Sequence, residues 1–202
     1  MILLGQDVSR ETIVRLNIYA AVLEKWNPKI NLVGKSTIAD IWGRHFLDSA
    51  QIFREIHEGA GSWADFGSGG GFPGLVVAIL AAEKTPELAV TLVESDQRKA
   101  AFLRTVARET GIAVQVLDAR IEALEPLNVD VVSARALADL TTLVGFAARH
   151  LKSTGTALFL KGESWEKELH DAQTSWSFEV ERNTSKTDSG AVVLKVWNIR
   201  NV

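Results

Sequence analysis

The residues best suited to chemistry form one run, Asp65-Phe66-Gly67-Ser68-Gly69-Gly70-Gly71-Phe72-Pro73-Gly74. Glycine removes the side chain where a ligand must approach the backbone, and it supplies positive φ for a sharp turn. Pro73 suits the first turn of a helix, and an apolar run follows, so the loop stands between a strand and a helix. In that place it is expected to hold an adenosine-bearing ligand; the alternative is a plain glycine turn. Gly69, Gly71 and Gly74 also satisfy G-x-G-x-x-G, and Glu94 stands 20 residues past Gly74 at the end of the next strand-like run. A carboxylate there accepts hydrogen bonds from both hydroxyls of a ribose, and the competing reading is a solvated strand end.

Other chemistry is bounded by what is missing. The 202-residue chain has no cysteine, which excludes disulfides, zinc-thiolate sites, iron–sulfur clusters and thiol nucleophiles. Its four histidines, His45, His57, His150 and His170, show no metal-ligand spacing, so no metal is expected. His45 and Asp48 lie three apart on a helical stretch, share one face and are expected to pair by a hydrogen bond. The net charge of −3 gives no global attraction to a polyanion, so any nucleic-acid contact must come from a local basic surface. Lys25, Lys29, Lys35 and Arg44, with only Asp40 as an intervening acid and Trp26 and Trp42 among them, form one candidate. There the cations would meet phosphates and the tryptophans stack on unpaired bases, or the cations are a solvated face and the tryptophans belong to the core. Arg104 and Arg108, one helical turn apart, and Lys161 at the end of a strand are further candidates.

These groups need a scaffold. With 47% hydrophobic and 23% charged residues, the chain reads as one globular domain over residues 1–202. Residues 1–60 form a helical N-terminal extension and 61–202 a Rossmann-like core. Ile13, Leu16, Ala20 and Leu23 recur at helical spacing behind a Ser9 N-cap, and Asn27-Pro28 is expected to end that helix. A second helical stretch covers about 36–56, broken near Gly43. From Trp63 the chain alternates strand-like and helical runs: WADFG, LVVAILAA, VTLVE, QRKAAFLRTVARETG, VQVL, VDVVSA, LADLTTLVGFAARH and TALFLKG. This predicts an α/β fold with a mostly parallel sheet covered on both faces. Residues 175–181 and 191–199 read as two strands joined by NTSKTDSG, an antiparallel hairpin that finishes the sheet. No run of eighteen apolar residues and no secretory start is present, so a cytoplasmic protein without a membrane partner is expected.

The hairpin bears on the ligand. An NAD fold needs a second half or a catalytic domain, and 202 residues leave little room for one. A seven-stranded sheet with a C-terminal antiparallel hairpin is the architecture of class I S-adenosylmethionine-dependent methyltransferases. NLVGKSTIADIWGRHFLDSAQI, ADFGSGGGFPGLVVAI, ARIEAL, VVSARALADL and FLKG resemble, in order from Asn31 to Gly162, the motifs of the bacterial 16S ribosomal RNA guanine-N7 methyltransferase family, RsmG or GidB. The resemblance implies S-adenosyl-L-methionine as cofactor, and 16S ribosomal RNA or the small ribosomal subunit as partner. It implies that the backbone around Gly67, with Ser68, Gly69 and Gly71 in the same loop, and the side chain of Phe72 hold the methionine end and that Ile121 and Glu122 flank the adenine, which leaves Glu94 the ribose. Arg135 would close the site and act in catalysis, and His45 and Asp48 match the family's motif; with the basic Arg44 and Lys161 they are the candidates to meet the substrate. Many family members carry a basic residue just before the last strand; here Ser189-Gly190 stands there, which weakens any RNA grip by the hairpin.

The target atom follows from exclusions. Methylation of pyrimidine carbon 5 needs a cysteine, and the Asn/Asp-Pro-Pro-aromatic motif of amino methyltransferases is replaced by Ser133-Ala134-Arg135-Ala136. Guanine N7 has a free in-plane lone pair, so no proton must leave and no general base is needed. Catalysis is then mostly positioning, which supplies at most roughly 7–11 kcal/mol. Arg135 is expected to grip a phosphate or guanine O6 as a planar donor, or else to make a surface salt bridge. For His45 and Asp48 a structural or RNA-positioning role is favoured over acid–base work. The competing functions are an NAD-type oxidoreductase, a methyltransferase for another substrate, and a non-catalytic RNA-binding module.

Overall fold

The computed structural model describes residues 2–3 and 6–202. Helix α1 (Arg10–Ile30) starts at Ser9, whose hydroxyl accepts the Thr12 N–H at 3.1 Å, and it buries Leu16, Tyr19 and Leu23 along one face. It does not stop at Asn27-Pro28 as the sequence suggests. Pro28 sits in the last turn, where the missing N–H forfeits one helical bond. The stop comes at Asn31, in the left-handed region at φ 49°, while the Asn27 side chain accepts the N–H groups of Leu32 (2.7 Å) and Val33 (2.9 Å).

The predicted second helix is a chain of short turns: 3₁₀ over Lys35–Asp40, π over Trp42–Leu47, one α turn at Asp48–Ala50, and 3₁₀ over Gln51–Glu55. Within the π turn, whose hydrogen bonds run from i to i+5, the adjacent residues His45 and Phe46 are both buried.

The sheet has seven strands: β1 (Ser62–Phe66), β2 (Ala89–Val93), β3 (Gln115–Leu117), β4 (Val129–Arg135), β5 (Leu151–Lys161), β6 (Trp176–Thr184) and β7 (Val192–Asn201). Their spatial order is β3-β2-β1-β4-β5-β7-β6, with β7 antiparallel to both neighbours and the other pairs parallel. The terminal hairpin is therefore present as the sequence predicts. Helices α2 (Gly74–Lys84), α3 (Gln97–Thr110) and α4 (Leu140–His150) fill the predicted crossovers, but α5 (Trp165–Gln173) has no counterpart in the sequence reading. It buries only Leu169 and Ala172, too few positions to mark a period.

One apolar cluster joins α1, the 35–55 segment, α2 and α3 to one face of the sheet, and a second covers the other face with α4 and α5. In register, Phe66 pairs with Val93 on one side and Ala134 on the other, so the carboxyl ends of β1, β2 and β4 meet at one edge. The chain order reverses between β1 and β4, the place where open α/β sheets form their ligand crevice.

Candidate functional site

The glycine loop leaves β1 with Gly67, Gly69 and Gly71 at φ 62°, 51° and 89°. Each lacks a side chain for a different reason. A Cβ on Gly67 would lie 2.5 Å from Leu137 Cδ1, and one on Gly71 would collide with Leu75 and the Tyr19 hydroxyl. A Cβ on Gly69 would meet nothing nearer than 3.6 Å. Protein packing thus leaves space at 69, where the left-handed φ is what favours glycine.

Gly69 borders a cleft of about 350 Å³ whose walls include Gly67, Glu94, Ile121, Glu122, Leu137 and Phe146. Glu94, nearly buried, accepts the Gly69 N–H at Oε2 (2.8 Å) and the Asp96 N–H at Oε1 (2.8 Å). Each carboxylate oxygen retains a lone pair for a ribose hydroxyl. Ile121, Leu137 and Phe146 supply apolar walls for a flat base, and Ile121 is fixed by His150, whose Nε2 lies 3.2 Å from its carbonyl. These residues fit an adenosine moiety. Ser68 is buried and its hydroxyl donates to Asp65 O at 3.0 Å, so its side chain faces the protein and only its backbone remains for a ligand. Gly71 and Phe72 line neither cleft described here.

Under the loop, Trp63 Nε1 donates to Ser133 Oγ (2.8 Å), which donates to Asp65 Oδ1 (2.6 Å). Asp65 Oδ2 has no hydrogen-bond partner among the described residues. Burial pushes the Asp65 carboxyl up to about 6 despite the Ser133 bond.

A second cleft, of about 490 Å³, opens beside the first, and Ala136 lines both. Arg44, His45, Asp48, Arg135 and Lys161, brought together from distant stretches of sequence, all border it. The expected His45–Asp48 bond is absent because Arg135 stands between them. Its guanidinium donates to His45 Nδ1 (3.0 Å), Asp48 Oδ2 (3.1 Å) and the Arg44 carbonyl (3.2 Å), and lies 4.9 Å from the centre of the Phe72 ring. The His45 ring also stacks on Phe72, 4.8 Å away, and Phe72 in turn stacks on Tyr19. Phe72 therefore supports Arg135 and His45. Arg135 borders the second cleft, next to Ala136, which borders both. It does not form a surface salt bridge: both partners of the Arg135–Asp48 pair are only 18% exposed.

His45 is buried, with Nε2 2.8 Å from Thr37 Oγ1. Burial first, then the charges of Arg135 and Arg44, push its imidazole down to about 4 against the pull of Asp40. It is neutral at pH 7. Asp48 Oδ1 accepts from Gln51 Nε2 (2.9 Å) and Thr187 Oγ1 (3.0 Å), and Arg44 pairs with Asp188 at 3.2 Å. The β6–β7 loop is thereby tied to the 35–55 segment. Lys161 is not a free phosphate ligand; it is 9% exposed, 2.5 Å from Glu168 and 3.0 Å from the Ala138 carbonyl. Trp26 and Trp42 are half-buried against Phe102 and Phe46, so neither is a free stacking platform, whereas Lys25, Lys29 and Lys35 are exposed. Among the described residues, no group of three or more His, Asp or Glu is placed to hold a metal.

Tyr19, Thr187 and Glu168 are side chains around the loop and clefts that the sequence does not single out. The hydroxyl of Tyr19 donates to the Gly70 carbonyl from inside the core. All three become relevant only through long-range packing.

Residues 12–193 match the family model GidB, described as rRNA small subunit methyltransferase G. The chain is 57% identical over 196 residues to the ribosomal RNA small subunit methyltransferase G of Ruegeria pomeroyi, covering 97% of this chain and 96% of that protein. It is 51% identical over 198 residues to the protein of the same name from Paramagnetospirillum magneticum, covering 98% and 94%. Among solved structures, a ribosomal protein L11 methylase from Lactobacillus delbrueckii subsp. bulgaricus superposes with a TM-score of 0.59 at 16% identity, over 74% of this chain and 76% of that one. A TehB-like SAM-dependent methyltransferase from Corynebacterium glutamicum does so with a TM-score of 0.60 at 15% identity, over 88% and 98%. At such identities these two share the fold.

Proposed function

As the chain belongs to the GidB family of rRNA small subunit methyltransferase G proteins, we propose that it methylates N7 of one guanine in 16S ribosomal RNA, using S-adenosylmethionine. When bound, that cofactor supplies an electrophilic methyl group on a sulfonium. Gly67, Gly69, Glu94, Ile121 and Glu122 are suited to hold its adenosine, with Glu94 accepting from the ribose. The second cleft takes the guanine. The observation that carries this reading is Ala136, which borders both clefts and so marks where donor and acceptor come together.

The charges of the second cleft suit a base better than a phosphate. Arg135, Lys161 and Arg44 are each paired with an acid, Asp48, Glu168 and Asp188. A neutral purine enters such a balanced site without stranding a charge, and the cationic 7-methylguanine product has carboxylates near it. The N7 lone pair forms the new bond as the sulfur–carbon bond breaks, and no proton moves. His45, neutral and with Nδ1 already accepting from Arg135, is not a base in this scheme; it orients the guanidinium. Exposed Lys25, Lys29 and Lys35 remain for phosphates outside the cleft.

No helix among the described residues is long and apolar enough to cross a membrane, and a cytoplasmic place beside the ribosome belongs to the same reading. Transfer of labelled methyl groups to small-subunit RNA, free and in assembled subunits, followed by nucleoside analysis, tests it. Label in 7-methylguanosine is expected. Label in any other nucleoside, or none with either substrate, refutes the assignment.

A further inference from the structure

The wall between the two clefts is the β4–α4 loop, residues 136–139, and its conformation is held from outside. Ala136 adopts φ 52°, a left-handed conformation that costs a non-glycine residue roughly 1–2 kcal/mol. The Leu137 side chain packs against Gly67 so closely that a Cβ there would lie 2.5 Å from Leu137 Cδ1, so this loop is in contact with the glycine loop. Two side chains grip the chain on either side of Asp139. Lys161, at the end of β5, donates to the Ala138 carbonyl at 3.0 Å, and Glu168, on α5, accepts the Leu140 N–H at 3.0 Å. The two are joined to each other at 2.5 Å, and Ser164 donates to the second Glu168 oxygen at 2.8 Å.

We propose that Lys161 and Glu168 form a strut whose task is to set the β4–α4 partition, and hence the line along which methyl donor and guanine meet. They are positioning residues, not contacts to RNA phosphate or cofactor. The proposal rests on the assignment of the two clefts given above. A carbonyl and an N–H flanking Asp139, each tied to one member of an ion pair, fix both translation and tilt of that segment. Because the pair is mostly buried, its geometry is little loosened by solvent. In a reaction that needs no base, alignment is the principal contribution the protein makes, and a shift of about 1 Å costs on the order of a hundredfold in rate.

The test uses Lys161→Met, Glu168→Gln and the double variant in the full chain. Single-turnover methyl transfer at saturating small-subunit substrate reads the rate, salt-dependent binding reads RNA contact, and calorimetry with S-adenosylhomocysteine reads the cofactor cleft. Each single variant is expected to slow transfer roughly ten- to a hundredfold. RNA affinity and its salt slope should stay within about twofold of wild type, since no phosphate contact is removed. The double variant should be as slow as either single one, because both break one device. It also removes the stranded charge, so it keeps the test alive if Lys161→Met folds poorly. Wild-type rates in any folded variant, or a loss confined to RNA affinity with a lowered salt slope, would overturn the strut. If wild-type protein transfers no methyl to guanine N7, the reaction itself is misassigned, a result separable from failure of the strut alone.

Discussion

Arg135 donates to Nδ1 of His45 across 3.0 Å. A guanidinium has no acceptor, so this bond fixes Nδ1 as the unprotonated nitrogen and leaves Nε2–H to donate to Thr37. The imidazole most plainly available as a base is committed to orienting an arginine.

The pH profile follows from that bond. With His45 held near 4, it stays neutral from pH 6 to 9, and single-turnover methyl transfer should vary by less than about twofold across that range. Arg135→Lys keeps the charge but cannot span His45, Asp48 and the Arg44 carbonyl together, so the rate should fall roughly a hundredfold with the fold intact. In Arg135→Ala the His45 pKa should climb toward its ordinary value, readable by NMR titration. A tenfold rate rise per pH unit, persisting in Arg135→Lys at the wild-type rate, would mean that a base is used and that Arg135 is a bystander.

Asp65 predicts an opposite pH signature in stability. Its folded carboxyl keeps a proton up to about 6, whereas the unfolded chain releases it near 3.8. Between those values the folded state binds more protons, so this contribution to stability falls as pH rises and is lost above 6. A difference of about two units corresponds to about 3 kcal/mol. Asp65→Asn lacks this contribution, so the stability gap between variant and wild type should shift in the variant's favour by about that amount between pH 3.5 and 7. Urea unfolding at both pH values measures it, and an equal gap at both would show that Asp65 is ionised throughout.

Local patterns in the chain disclose the glycine loop, the Glu94 strand end and the parallel sheet with its antiparallel hairpin, because each depends on neighbours in sequence. The same holds for Gly67 and Gly69, whereas Ile121 and Glu122 are reached only through the family resemblance, because their place in the same cleft depends on the fold. The Arg135 grip is hidden, because His45, Asp48 and Thr187 come together only after the 35–55 segment and the β6–β7 loop fold over the sheet edge. Spacing puts His45 and Asp48 on one helical face, but it does not show that a side chain 87 residues away from Asp48 is inserted between them. Lys161 looks like a free cation in the sequence for a related reason. Its partner lies on α5, a helix with too little apolar surface to announce itself.

Tyr19 links the N-terminal helix to the glycine loop by one hydrogen bond, from its hydroxyl to the Gly70 carbonyl. Tyr19→Phe retains the stacking on Phe72 and leaves that buried carbonyl unpaired, a cost of roughly 1–3 kcal/mol. If α1 serves only the core, stability alone should fall. If it sets the loop, affinity for S-adenosylhomocysteine should also weaken by roughly five- to tenfold, as expected when a hydrogen bond worth about 1 kcal/mol no longer holds the bound conformation. Calorimetry beside denaturant melts separates the two, and an unchanged dissociation constant would confine Tyr19 to packing.

The glycines of the loop give the sharpest test of which cleft holds the cofactor, because their reasons for being glycine differ. At Gly71, φ is 89° and a Cβ would strike Leu75 and the Tyr19 hydroxyl, both inside the core. Gly71→Ala therefore combines overpacking, at roughly 1–3 kcal/mol, with a left-handed backbone at roughly 1–2 kcal/mol. Its main effect should be on stability. At Gly69 the backbone cost is similar, but the added methyl meets no protein atom nearer than 3.6 Å, lies 4.0 Å from Glu94 Oε2, and Gly69 and Glu94 both line the 350 Å³ cleft. Gly69→Ala should then fold with a loss of only about 1–2 kcal/mol and bind S-adenosylhomocysteine at least roughly tenfold more weakly. Denaturant unfolding and calorimetry on the same two preparations read both quantities. Should Gly69→Ala bind like wild type, the cleft bordered by Glu94 and Ile121 is not where the cofactor sits, and the position of Ala136 between donor and acceptor would lose its meaning.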